Sequence, residues 1–305
     1  MSIDIIRNMT LTGGDFNEQT EFIIDDFIAE KMITLIYADG GNGKSLLTQT
    51  LANNFASKGY QVVYLDFDNP MSVLNERNIY DMMGNHHPEQ LKYVHRSKCN
   101  MQPEMLLHML GDSACGDDYK DHVFFIDSLR NFMNVKNDAQ TLEMLTVLMN
   151  MREAGATIVA LHHSNKDGKN YEGSNNIRNS VDNIFQLRKV ASSLKHNTLD
   201  LVLHVRKDRA SIKETAVRID AKNLTLSQLD VTEALMTEEV EEFAHEVKQA
   251  LQESEDVLNK TDLLKAVGRK KDDKTARRWL DQFDGVFWKS TKQGGVYTYQ
   301  LLDAA

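Results

Sequence analysis

Proline is scarce, with three residues in 305, and cysteine is scarcer, with two. Cys99 and Cys115 form no C-x-x-C pair, so neither a disulfide framework nor a thiolate zinc site is indicated, and a reducing, cytoplasmic compartment is expected. No uninterrupted apolar segment approaches the roughly 18 residues of a membrane span, and Met1-Ser2-Ile3-Asp4 lacks the basic stretch and apolar run of a signal peptide, so no membrane partner is expected. Positive charge is also short. Lys and Arg total 35 against 45 Asp and Glu, a net charge of −10, which excludes a generally basic nucleic-acid coat but leaves room for a local basic channel. What is present is ordinary globular composition, 41% hydrophobic and 26% charged, at a length that suggests two domains.

Between residues 31 and 161, short β-branched or aromatic runs alternate with amphipathic stretches, the pattern of a parallel sheet with crossover helices. Met32–Tyr37, Gln61–Asp66, Val123–Asp127 and Thr157–Leu161 read as buried strands. Lys44–Ser57 places Leu47, Leu51 and Phe55 on one helical face, with Gly59 as a stop, and Asp138 is positioned to cap a helix running through Leu142, Leu145, Leu148 and Met149 to Gly155. After residue 180, Asn183–Val190, Leu199–Arg206, Thr215–Asp220 and Leu224–Leu229 are strands with short connections, expected as an antiparallel extension of the sheet. Glu233–Glu242 is acidic and helical, and the boundary falls in 232–240, giving domains 1–235 and 236–305. The second carries helices near 240–253, 260–267 and 273–284. A hairpin follows, Val286–Ser290 and Val296–Leu301, joined through Lys292-Gln293-Gly294-Gly295, which is the plan of a winged helix-turn-helix over a core of Leu263, Leu264, Trp279, Leu280, Phe283 and Phe287.

The chemistry begins at residues 38–45, Ala-Asp-Gly-Gly-Asn-Gly-Lys-Ser, set between a strand and a helix. This is the context of a phosphate loop: amides converge on a phosphate where side chains do not intrude, and the following helix N-terminus adds partial positive charge. Gly40, Gly41, Asn42, Gly43, Lys44, Ser45 and Leu46 are therefore the candidate nucleotide-binding set. Lys44 would reach the β- and γ-phosphates of ATP, and Ser45 would bind Mg²⁺. Ala38 replaces the usual first glycine, which is tolerable if its φ is negative. The apolar run His122–Ile126 delivers Asp127 at its end, where a carboxylate would hold the metal through water.

With these blocks the sequence resembles the RecA-like ATPases, particularly the RepA-type plasmid replicative helicases related to the DnaB group, over residues 20–230. Three further blocks follow in that family's order. In Val62–Pro70, Asp68 occupies the position of a catalytic Glu, one methylene shorter, and Asp66 is the rival base because it points to the same face. Leu161-His162-His163-Ser164-Asn165-Lys166 looks like the γ-phosphate sensor block, with His163 the sensor. His162 alternates to the other face, and adjacent strand residues make a poor metal pair. Leu203–Arg209 ends in a Lys-x-Arg pair, Lys207 and Arg209, which the resemblance makes cations supplied in trans to a neighbour's ATP.

The resemblance implies an α/β RecA-like P-loop core, its parallel sheet extended by antiparallel strands, that forms a homo-oligomeric ring, a hexamer, and acts as an ATP-driven helicase on single-stranded DNA of a mobile element. Loops Asn131–Asp138 and Ser164–Arg178, the latter with Lys166, Lys169, Tyr171 and Arg178, would line the ring. Seven basic residues within 265–278 against Asp272 and Asp273 suit duplex DNA, or a replication protein, at the second domain. The alternative is a RecA-like ATPase that does not unwind DNA, acting as a recombination mediator, regulator or adaptor.

Overall fold

A run of six buried residues, Ile33–Ala38, can persist only where both faces of a sheet are covered. In the computed structural model, which describes residues 9–302 apart from 18, 82–86, 194–195, 237, 255–256 and 294, that run is the middle of a nine-stranded sheet. The opening residues 1–4 and Gly294 of the expected hairpin turn lie outside the described residues.

The elements of the first unit, residues 1–231, are β1 (Phe22–Ile24), β2 (Ile28–Ala29), β3 (Ile33–Ala38), α1 (Lys44–Ser57), β4 (Gln61–Asp66), α2 (Met71–Glu76), β5 (Leu91–His95), α3 (Pro103–Gly111), β6 (His122–Asp127), α4 (Asp138–Glu153), β7 (Thr157–His163), α5 (Asn175–Ser180), β8 (Asn183–Ser193), β9 (Thr198–Lys207), β10 (Thr215–Asp220) and β11 (Thr225–Leu229). The sheet order is β11-β10-β9-β8-β3-β7-β6-β4-β5. Strand β8 corrects one expectation. Its sequence groups it with the antiparallel extension, yet it pairs with β3 in parallel, because the connection through α5 carries the chain back to the starting edge. Hairpin connections then make β9, β10 and β11 antiparallel.

Strand alternation distributes the core over two faces. On one, Leu47, Leu51 and Phe55 of α1 pack against Ile36, Tyr64, Phe125 and Val159; on the other, Leu145 and Leu148 of α4 meet Leu35, Phe124, Ile126 and Ala160. The cap of α4 is Asn137, whose side chain accepts a hydrogen bond from the Gln140 amide at 3.1 Å. Asp138, expected as the cap, is instead the first helical residue, and its carboxylate accepts the Ser174 hydroxyl. Edge strand β5, alternating Leu91, Tyr93 and His95 with Lys92 and Val94, is not evident in so polar a run.

The second unit, residues 232–305, continues from α6 (Val231–Leu235) with α7 (Glu238–Glu253), β12 (Leu258–Asn259), α8 (Lys260–Ala266), α9 (Lys274–Gln282), β13 (Trp288–Gln293) and β14 (Val296–Leu301). The acidic stretch expected as one helix is thus divided between two. The antiparallel sheet β12-β14-β13 and the helices enclose Phe243, Val247, Leu263, Leu264, Leu280, Phe283 and Trp288, and the Trp288 indole N–H donates to the Leu280 carbonyl at 2.9 Å. Trp288 is thus fully enclosed in this core, while Phe287, expected in it, packs against it partly buried.

Helix α3 lies so close to α4 that a Cβ at Gly111 would stand 2.3 Å from Val147 Cγ1 and 2.7 Å from the Val147 carbonyl oxygen. Gly111→Ala should destabilise the first unit by about 1–3 kcal/mol, because backbone cannot give way as a side-chain tip can. A thermal melt reads this directly, and an unchanged midpoint would contradict the contact.

Candidate functional site

Parallel strands release their carboxyl ends at one edge, and β3, β4, β6 and β7 bring their terminal residues together there. Ala38 closes β3 without a positive φ, as its substitution for glycine requires. Gly41 at φ +79° and Gly43 at φ +85° then turn the chain through the left-handed region into α1. A Cβ on Gly43 would also meet Leu199 Cδ2 at 2.6 Å. The first helical hydrogen bond runs from the Leu47 amide to the Gly43 carbonyl at 2.9 Å, so the amides of Lys44, Ser45 and Leu46 belong to the open first turn.

Lys44 is buried, and its ammonium donates to the carbonyls of Ala38 and Asp39 at 2.8 and 2.9 Å. Burial lowers its pKa, an effect opposed by the carboxylates of Asp127, Asp68 and Asp39. Asp66 and Asp127 are register partners of β4 and β6, side by side and almost wholly buried. The Asn69 side-chain amide donates to both, Tyr93 donates to Asp66 at 2.6 Å, and Tyr64 donates to Asp127 at 3.2 Å. The Ser45 hydroxyl lies beside Asp127 and partly offsets the upward shift of its carboxyl.

Asp68, just beyond β4, is partly exposed. Arg130 and Asn131 donate to its Oδ1 at 3.2 and 3.3 Å, and His163 Nε2 stands 3.7 Å from its Oδ2. His163 and these two donors hold its carboxyl well below the usual carboxylate range. His163 Nε2 is itself buried and has no hydrogen-bond partner among the described residues. His162 turns to the other side. Its Nε2–H donates to the Glu172 carbonyl at 2.6 Å, and burial pushes its pKa down to about 4, so the ring is neutral. The sequence does not single out Asn69, Arg130 or Asn131, since no spacing rule marks a residue that steadies another's carboxylate.

Lys207 and Arg209 do not join this group. Strand β9 is antiparallel to β8, so Lys207 lies opposite Ile184, and both cations sit at the amino edge of the sheet. Lys207 donates to the carbonyls of Arg178 and Val181, both at 2.5 Å, and Arg209 pairs with Asp182 at 2.9 Å.

The loops expected to face nucleic acid are also largely engaged. Phe132, Met133 and Val135 are core residues, Tyr171 packs edge-on against Tyr37 with ring centres 5.9 Å apart, and Arg178 donates to the Arg206 carbonyl. Lys166 and Lys169 are exposed.

A glycine-built cradle over a helix N-terminus, with a buried lysine, a serine hydroxyl and a carboxylate at its mouth, is the chemistry of a phosphate loop with a metal site beside it. A sequence-family model for an AAA domain, a family of P-loop ATPases, matches residues 13–169, just over half of the chain. The chain belongs to this AAA-domain family. Membership implies nucleotide binding and supports hydrolysis. No curated protein matches the sequence. Among solved structures, the flagellar accessory protein FlaH from Methanocaldococcus jannaschii aligns at TM-score 0.46 and 14% identity, over 67% of this chain and 92% of that one.

The residues of the AAA-domain site fit a Mg²⁺ nucleotide. Among the described residues His163 Nε2 is an orphaned buried polar atom beside Asp68, and a Cβ at Gly40 or Gly41 would meet nothing within 4 Å, so the loop backbone is open to a ligand. Among the described residues no group of three or more His, Cys, Asp or Glu side chains makes a metal site by itself, so a magnesium ion here would rely on the nucleotide's oxygens.

Burial first, and the Asp66 carboxylate second, push the Asp127 carboxyl up to about 6 from 3.8. The folded chain therefore retains a proton between about pH 4 and 6 that the unfolded chain releases, and ionised Asp127 costs stability above that range, by up to roughly 3 kcal/mol. Asp127→Asn should raise the melting temperature of the nucleotide-free chain at pH 8, with the gain vanishing toward pH 4. An equal change at both pH values would contradict the assignment.

Proposed function

We propose that this chain is a Mg²⁺-dependent ATPase that assembles head to tail into a ring, a hexamer, and moves along single-stranded DNA as a replicative helicase of a plasmid, phage or other mobile element. The observation that carries this reading is the separation of two half-sites. The phosphate loop lies at the carboxyl edge of the sheet, whereas Arg209 is bound to Asp182, whose Oδ2 accepts the Ile33 amide at the amino edge. Five steps along β3 separate Ile33 from Ala38, roughly 16 Å. Neither Arg209 nor Lys207 spans that distance, so any nucleotide they serve belongs to another copy. A site completed by a second copy requires a heterologous contact, which closes into a ring or runs on as a filament.

In this reading the amides of residues 40–46 and the Lys44 ammonium would hold the triphosphate, and Ser45 and Asp127 would hold the metal. Bound Mg²⁺ supplies neutralisation of phosphate charge. Asp68, kept ionised, orients the attacking water. Asp66 is the weaker candidate, since its oxygens are already taken by Asn69, Tyr93 and the amides of Asp68 and Asn69. His163 Nε2 donates to the γ-phosphate, and Arg209 and Lys207 of the adjacent copy meet the charge that grows during transfer.

Arg209→Ala should bind ATP but not turn it over, and mixing it with Lys44→Ala should restore part of the activity. Single-stranded DNA should stimulate hydrolysis, and a labelled strand should be displaced from a duplex. The packing of Tyr171 and of residues 132, 133 and 135 favours one second reading, a RecA-like ATPase that hydrolyses ATP as a mediator, regulator or adaptor without unwinding. Hydrolysis indifferent to DNA would select it.

The second unit we read as a winged helix-turn-helix that grips duplex DNA. Four of its acidic residues near α9 are already used, and Asp272 is exposed. Asp273 accepts the amides of Thr275 and Ala276, Asp262 accepts from Asn259, Asp281 pairs with Lys260, and Asp284 accepts the Ser290 amide. Exposed Lys270, Lys271, Lys274, Arg278 and Lys289 have no ion-pair partner among the described residues. Replacing Lys270, Lys274 and Arg278 by Ala should weaken binding of a duplex oligonucleotide and flatten its salt dependence by about one unit of slope for each phosphate no longer neutralised. Unaltered duplex binding would instead point to a protein partner.

A further inference from the structure

At the amino edge of the sheet one buried carboxylate serves two arginines. Asp182, 3% exposed, accepts Arg152 Nη1 at 2.9 Å on Oδ1 and at 3.0 Å on Oδ2, Arg209 Nη1 at 2.9 Å on Oδ1, and the Ile33 amide at 2.9 Å on Oδ2. The two guanidiniums differ in setting. Arg152 is 20% exposed and lies at the end of α4, where it also bonds Glu153, whereas Arg209 is 51% exposed and lies past the end of β9. Lys207, the other cation at this edge, donates to backbone carbonyls, so it does not compete for the carboxylate.

A buried carboxylate that loses its only cation is left with an uncompensated charge, and a pair of that kind resists being opened. Here the charge stays compensated whichever way Arg209 goes, because Arg152 alone occupies both oxygens of Asp182 and the Ile33 amide adds a third hydrogen bond. We propose that Arg152 is a positioning residue that acts through Asp182. It keeps this carboxylate neutralised, so that Arg209 is held at the subunit surface in a ready orientation and can leave for the nucleotide of the adjacent copy at low cost. Asp182 is the resting place of the arginine, and Arg152 is what makes the resting place reversible. The inference rests on the trans role of Arg209 proposed above.

The arrangement is tested by turnover at saturating ATP, nucleotide affinity by equilibrium binding, and thermal melting, on the full chain. In Arg152→Met, Arg209 becomes the sole cation of Asp182, and turnover should fall by about tenfold or more with nucleotide affinity unchanged. Adding Asp182→Asn removes the charge that needs a cation, so the double variant Arg152→Met, Asp182→Asn should regain turnover. A purely structural role for Arg152 would lower the melting temperature of Arg152→Met while leaving its turnover undiminished below that temperature. Undiminished turnover in Arg152→Met, or no recovery in a folded double variant, overturns the proposal. Arg209→Ala separates the two layers of argument. If it is inactive while Arg152→Met is fully active, only the present inference fails; if it is fully active, the trans reading fails and this inference with it. Should Arg152→Met not fold, Arg152→Gln decides, since it keeps a hydrogen-bond donor for Asp182 and removes the charge: turnover should again fall by about tenfold or more, and undiminished turnover overturns the proposal.

Discussion

Two aspartates that share a sheet register set the terms for everything around them. Asp66 and Asp127 end neighbouring parallel strands as direct partners, and both are almost wholly buried. Like charges so placed repel, and desolvation adds to the cost. The surroundings are correspondingly polar inside an apolar sheet: Asn69 bridges the pair, Tyr64 and Tyr93 stack 4.8 Å apart and each donates to one carboxylate, and Ser45 and Lys44 approach from the phosphate loop. A cation held at a bound polyphosphate would relieve the same strain, which couples the stability of the nucleotide-free chain to the chemistry of the site.

That coupling explains the division of labour between the two edges. The carboxyl edge gathers a negative cluster with one buried lysine, prepared for a metal and an anion together. The amino edge places Arg152 and Arg209 on one buried carboxylate, Asp182, with Glu153 also bonded to Arg152 and Lys207 held by backbone carbonyls.

The two kinds of feature differ in how legible they are. Local chemistry is readable in the residues: Gly43 before Lys44 can only turn into a helix one way, and four apolar runs of strand length demand cover on both faces. Helix α1 keeps the limits its spacing indicates, and β4 and β10 likewise. The misreadings have physical causes. Asn137 rather than Asp138 caps α4 because the extended backbone stops one residue earlier, and β8 is parallel because a short helix, invisible in a polar loop, returns the chain across the sheet.

Residue type and short-range period were enough to specify which side chains could carry phosphate chemistry and the order in which strands and helices alternate. Long-range packing had to decide that Asp66 is spoken for while Asp68 is open, that Arg130 and Asn131 steady it, that Tyr171 is packed away, and that Arg209 shares Asp182 with Arg152. Those outcomes depend on strand register and on contacts between distant segments, as where Asn131 and His163 both reach Asp68. Burial and hydrogen-bond competition settle them, and neither quantity exists until the chain has closed on itself.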